Sequence, residues 1–118
     1  LTISAADLGP DHLRAAGAAA DTPIGGVPRQ SHFARTFLDD LPTLDPALAE
    51  ADLVAAAAAL LARAPAIGAL VLECTNMGPY AGTLAGRAGL PVFDVIGLAG
   101  WLHGGLAVRA SKSSGLVR

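Results

Sequence analysis

Cys74, Thr75 and Asn76 are the residues of this chain whose types and spacing best suit chemistry. Cys74 is the sole cysteine in 118 residues. It follows the apolar run Ile67–Leu72 and precedes Thr75, Asn76 and a Gly78-Pro79 pair. That layout reads as a strand ending in a thiol, with the thiol facing the start of a helix. Amide N–H groups at a helix start point at bound anions. The same field favours a thiolate, the form in which cysteine is a nucleophile or base. Thr75 and Asn76 add a hydroxyl and an amide that could hold a carboxylate. Gly78 and Pro79 allow close backbone approach and open the helix. The reading is Cys74 as the catalytic residue and Thr75 and Asn76 as substrate-binding residues, with no metal ligand. A bland alternative stands beside it, since free cysteine is among the most buried residue types.

The elements that would position these residues can be read outwards from them. Ile67–Leu72 is the nearly continuous apolar run expected of a parallel strand buried on both faces. A helix fits 79–88, closed by Gly89, and Pro91–Val95 is the next strand. Together they make a βαβ unit, so 67–72 and 91–95 are expected to be adjacent and parallel. Upstream, Asp45-Pro46 is an N-cap followed by proline, and Pro65 ends that helix near Ala64. Leu48, Ala51, Val54, Ala55, Ala58, Leu61 and Ala62 recur at three- and four-residue spacing and are read as its core stripe. Glu50 and Arg63 then lie in solvent.

Nearer the start, Leu1–Ile3 reads as the end of a strand and Pro10 opens a short helix stopped by Gly17. Thr22–Val27 is a weak strand. His32–Leu38 is a short helix with Phe33 and Phe37 on one face. A last helix covers about 97–108. The fold class is α/β: one lobe, residues 1–108, with a mainly parallel sheet flanked by helices. Residues 109–118 are expected to be a flexible tail. The chain opens on Leu1-Thr2-Ile3 without methionine, as expected of a fragment of a longer protein.

Composition removes several functional classes. Hydrophobic residues make up 53% and charged residues 15%, which favours a packed core over disorder. The net charge of −2 and the 4% aromatic content leave nucleic acid and anionic membranes without electrostatic or stacking support. The Ala51–Leu61 run is too short to span a bilayer and contains Asp52. No signal peptide is read at the start. A single cysteine makes no internal disulfide, which fits a reducing, cytoplasmic setting.

Other polar residues carry weaker signals. Asp94 ends the second strand, where it could line the same cleft or cap the next helix. Glu73 should point to the sheet face opposite the thiol and pair with a neighbouring element. His12, His32 and His103 lack metal-ligand spacing. The Gly25-Gly26 and Gly104-Gly105 pairs match neither the dinucleotide nor the P-loop pattern.

Glu73-Cys74-Thr75-Asn76-Met77-Gly78-Pro79-Tyr80-Ala81, followed by Gly89-Leu90-Pro91-Val92-Phe93-Asp94, resembles the C-terminal half of the aspartate/glutamate racemase superfamily. Its members include hydantoin racemase and maleate isomerase. Leu1-Thr2, then Leu8–Leu13 and Gly17, resemble the opening strand and helix of that half, and the likeness runs over about 1–104. The resemblance implies a cofactor-independent mechanism. Two cysteines, one from each of two similar lobes, face opposite sides of an acidic carbon; one removes a proton and the other delivers one. Cys74 matches the second-lobe cysteine, and Thr75 and Asn76 match the carboxylate-binding positions.

Two departures bear on the chemistry. The first lobe and its cysteine are absent, and Asn76 stands where glutamate racemases carry histidine. A third, Gly78 in place of a proline, is expected to alter only the turn. The function expected is therefore the C-terminal half of a racemase-like enzyme. It would act on a small carboxylate, an amino acid or derivative, with the missing N-terminal lobe as partner and homo-oligomers possible. The alternative is a non-catalytic α/β remnant or small-carboxylate binding module, inactive alone.

Overall fold

The computed structural model describes residues 1–113, with side chains through Leu106. Five helices are present among them: α1 (Pro10–Ala15), α2 (His32–Leu38), α3 (Pro46–Arg63), α4 (Ala81–Ala88) and α5 (Val95–Ser113). Two short strands, β1 (Leu70–Val71) and β2 (Val92–Phe93), pair in parallel with Leu70 opposite Val92 and Val71 opposite Phe93. The β1–α4–β2 unit expected from the sequence is thus present.

Backbone pairing continues past β1. The Leu1 nitrogen donates to the Val71 carbonyl at 2.7 Å, and Glu73 N–H donates to the Leu1 carbonyl at 2.9 Å. Thr2 in turn forms a parallel bridge with Gly26. Four extended segments therefore lie side by side in the order 25–27, 1–3, 70–73 and 92–93. This gives a small α/β arrangement in which the regular sheet is two strands wide.

Local chemistry accounts for the helix limits. The Asp45 carboxylate accepts from the amides of Ala47 and Leu48, and Pro46 lacks an N–H at a position where none is needed. Ser31 caps α2 through the Ala34 amide. The Gly9 amide donates to His12 Nδ1, at 3.1 Å, so exposed His12 belongs to the opening of α1. Gly89 ends α4 at φ 65°, a left-handed conformation that costs glycine little.

The core gathers Phe33, Leu53, Leu70, Met77 and Leu84, all fully buried. Burying each contributes about 1.5–3 kcal/mol. Phe33 meets Phe37 at 4.9 Å between ring centres and sits edge-on to Tyr80 at 6.4 Å. The α2 start is fastened to α3 twice: Asp52 accepts from the Phe33 amide, and His32 Nε2 accepts from the Asp45 amide.

Several expectations need correction. The stripe that α3 buries is Ala49, Leu53, Ala56, Ala57 and Leu60. Leu48, Ala51, Ala55, Ala58 and Ala62, expected inside, are exposed. Alanine occurs on every side of α3, so spacing alone does not fix its rotation. Glu50, expected in solvent, is half-buried and accepts from the Thr83 hydroxyl at 2.9 Å.

The β1 strand is buried on one face only. Leu70 and Leu72 are inside, whereas Val71 is 61% exposed. The helix expected over 79–88 is two pieces, a 3₁₀ turn at Thr75–Tyr80 and then α4. Pro79 explains the break, because its ring clashes with the carbonyl four residues earlier in an α-helix. The last helix begins at Val95 and reaches Ser113. Residues 109–113 of the expected tail therefore continue α5, and 114–118 lie outside the described residues.

Candidate functional site

Cys74 directly follows the β1 ladder and is the N-cap of the 3₁₀ turn, in an extended conformation (φ −77°, ψ 123°). Its carbonyl accepts from the Met77 amide at 3.0 Å. Met77 and Tyr80 anchor the turn in the core. The first amides of such a turn have no carbonyl within it. The cysteine thus stands at the carboxyl end of a parallel strand, where ligands bind in open α/β sheets.

Around the thiol the picture is mixed. Cys74 is half-buried and packs against the core, continuing the side of Leu70 and Leu72. Thr75 and Asn76 are exposed on the turn. The three residues expected to form the site stand together, with the two polar ones open to solvent.

Asp94 approaches the same turn from β2. A Cβ added at Gly78 would lie 3.4 Å from Asp94 Oδ1 and 2.6 Å from Ile96 Cδ1. Gly78 is therefore a close-contact position, and its effect reaches beyond turn shape. The Asp94 carboxylate accepts from the Gly97 amide at 2.8 Å, and its carbonyl accepts from Leu98 N–H. That fulfils the capping reading of Asp94. Glu73 accepts from the Thr2 hydroxyl at 2.7 Å, so it ties two segments together, as strand alternation implied.

Electrostatics near the turn centre on Tyr80. Burial pushes its hydroxyl titration up, and the carboxylates of Glu50 and Asp45 push the same way. At the same edge of the extended segments, Arg29 follows Val27. Its guanidinium is engaged by both oxygens of Asp39, which holds the Asp39 carboxyl below the usual range. His103 lies exposed on α5. Among the described residues, no group of three or more His, Cys, Asp or Glu is placed to hold a metal ion. No described helix is long and apolar enough to cross a membrane.

Two hollows were not anticipated from the sequence. One, of about 780 Å³, runs between the open sheet face and α5 and is lined by Val71, Phe93, Asp94, Leu98 and Trp101 among others. The other, of about 440 Å³, lies under α1 between His12, Leu13, Leu60 and Glu73. Cys74 borders neither of them.

No family model matches the chain, and no solved structure matches it. A stretch of 51 residues, 43% of the chain, is 43% identical to Dimethylsulfoniopropionate lyase 5 of Emiliania huxleyi (strain CCMP1516). That stretch covers 10% of the lyase, so the chain spans only a small part of this relative's length.

Proposed function

We propose that this chain is the C-terminal lobe of a cofactor-independent, aspartate/glutamate racemase-like enzyme, in which Cys74 exchanges a proton at the carbon next to a substrate carboxylate. The observation that carries the reading is the position of Cys74, at the end of a parallel strand and at the head of a turn whose first two residues, Thr75 and Asn76, are exposed. The thiolate takes the proton from carbon, and the developing negative charge spreads into the carboxylate. Donors on the turn hold that carboxylate. Inversion needs a second acid on the opposite face, supplied by a companion lobe outside these residues. A reducing compartment such as the cytoplasm belongs to the reading, because the thiol must stay free.

The likeness to the lyase favours a second outcome for the same first step. Its name specifies a propionate carrying a sulfonium group. Loss of a proton beside the carboxylate lets that electron pair form a C=C bond while the C–S bond breaks and dimethyl sulfide leaves. Elimination and racemisation then share proton removal and diverge only after it.

The test of the binding role uses a polypeptide that carries both lobes and a small carboxylate whose α-proton it exchanges with solvent. Thr75→Val and Asn76→Ala should each raise KM with a smaller effect on kcat. A lost hydrogen bond to a charged group corresponds to about 1.5–3 kcal/mol, or roughly 10- to 150-fold. Unchanged KM in both variants would remove the turn from substrate binding.

A further inference from the structure

Building on the role proposed for Cys74, we infer that Thr2 and Glu73 are positioning residues, which together set where the thiol stands against a carboxylate held on the turn. Thr2 is 3% exposed, and its hydroxyl donates to Glu73 Oε2 at 2.7 Å. A buried hydroxyl needs an acceptor. Thr36, also buried, finds one in the His32 carbonyl of its own helix, at 2.8 Å. Thr2 instead takes a charged side chain 71 residues away in sequence, next to the thiol. Glu73 is exposed, so its carboxylate had water as an alternative partner.

The tether acts on the residue just before Cys74. Leu72 N–H donates to the Phe93 carbonyl at 2.8 Å, and Glu73 N–H donates to the Leu1 carbonyl at 2.9 Å. The chain is thus gripped from β2 at Leu72 and from segment 1–3 at Glu73, and Cys74 is the first residue past that grip. Thr2 is itself fixed on its far side: its N–H donates to the Gly25 carbonyl at 2.9 Å, and its carbonyl accepts from Val27 N–H at 3.1 Å. A Cβ added at Gly26 would lie 2.7 Å from the Ala5 nitrogen, so segment 25–27 is seated too closely for a side chain there.

The turn has a separate anchor, the buried side chains of Met77 and Tyr80. Thr75 and Asn76 therefore keep their support when the tether is cut, while Cys74 loses one of its own. Strand alternation aims Glu73 at the sheet face opposite Cys74. Its carboxylate positions the thiol without touching a substrate.

Iodoacetate is the probe, a small carboxylate whose adjacent carbon is the atom attacked. The Cys74 thiolate sulfur bonds to that carbon and iodide leaves. Iodoacetamide has nearly the same shape without the charge. The ratio of the two alkylation rates, set against that for cysteine in a short peptide, reads how the thiol stands against the carboxylate-holding turn. Cys74 is the only cysteine, so the label reports it alone. In the 118-residue chain the ratio should exceed the peptide value about 10-fold or more. Thr2→Val, nearly equal in size, and Glu73→Ala should each return it to within about twofold of the peptide. Thr2→Ser and Glu73→Gln keep donor and acceptor and should retain the preference.

Loss of the Glu73 charge by itself would speed iodoacetate, so a lower ratio in Glu73→Ala reports position and not charge. Helix content, read by circular dichroism, should match the parent in all four variants. A parent chain with no preference for iodoacetate defeats the carboxylate-binding reading of the turn, and the tether with it. A preference that Asn76→Ala abolishes but Thr2→Val leaves intact overturns the tether alone. An equal loss in Thr2→Ser, or a fall in helix content that tracks the lost preference, marks a general structural effect and overturns it as well.

Discussion

Helices α3 and α5 are almost equal in length, at 18 and 19 residues, yet the molecule treats them oppositely. The α3 helix is built largely of alanine and buries Ala49, Leu53, Ala56, Ala57 and Leu60. The described part of α5 carries larger apolar side chains, including the only tryptophan, and leaves them in water. Side-chain size therefore does not decide which helix makes the core. Position does: α3 is pinned to its neighbours through the Asp45 amide on His32, Asp52 and Glu50, whereas α5 is capped by Asp94 and held at its base against Gly78. Small residues on α3 let α2 and α4 come close, and the large ones on α5 remain available for another surface.

The comparison is broken most readily at Leu53. Leu53→Ala should destabilise the chain by about 2–5 kcal/mol, because it leaves a cavity in the core that α3 forms with α2 and α4. Denaturant unfolding checks this, and a loss below about 1 kcal/mol would mean that α3 is not the organising helix.

A smaller effect is expected at Tyr80, in the core that α3 shares with the 3₁₀ turn. Burial, with Glu50 and Asp45, raises its titration above the usual tyrosine value. A folded value above the unfolded one, about 10, means that the stability from this group is complete below that pH. It is lost as pH rises through the folded value. Tyr80 is the chain's only tyrosine, so phenolate absorbance reports it directly. Tyr80→Phe should remove that part of the alkaline loss; equal alkaline slopes in the two proteins would contradict the assignment.

The smallest effect belongs to α5. Leu98→Ala should change stability by no more than about 0.5 kcal/mol, as at surface positions elsewhere. A cost like that of Leu53→Ala would show that this face is packed within the fold.

The same contrast explains what was legible in the sequence. Asp45-Pro46, Gly89 and the order of apolar runs announced α3, α4 and the parallel β1–β2 pair, because caps and breakers act locally. The rotation of α3 was not legible, since alanine fits either face and the choice rests on contacts from Asp52 and Glu50. Nor was the 3₁₀ turn: Pro79 looked like a helix start, while its ring rules out an α-helix running back to Thr75. At the site, the strand-end position of Cys74, the pairing of Glu73 and the capping by Asp94 follow from strand alternation and turn chemistry. The groove beside α5 depends on a helix that projects instead of folding back, which no local pattern encodes.

The central claim is that Cys74 moves a proton, and solvent exchange measures that step directly. In a polypeptide that carries both lobes and a carboxylate it turns over, the α-proton should exchange with deuterium from the solvent. Cys74→Ser preserves size but lacks an accessible thiolate, and exchange should fall by about 10²–10⁴-fold, the usual contribution of a positioned acid/base group. The 118-residue chain alone, offering one face, should not racemise the substrate. Exchange at the parent rate in Cys74→Ser would contradict the account.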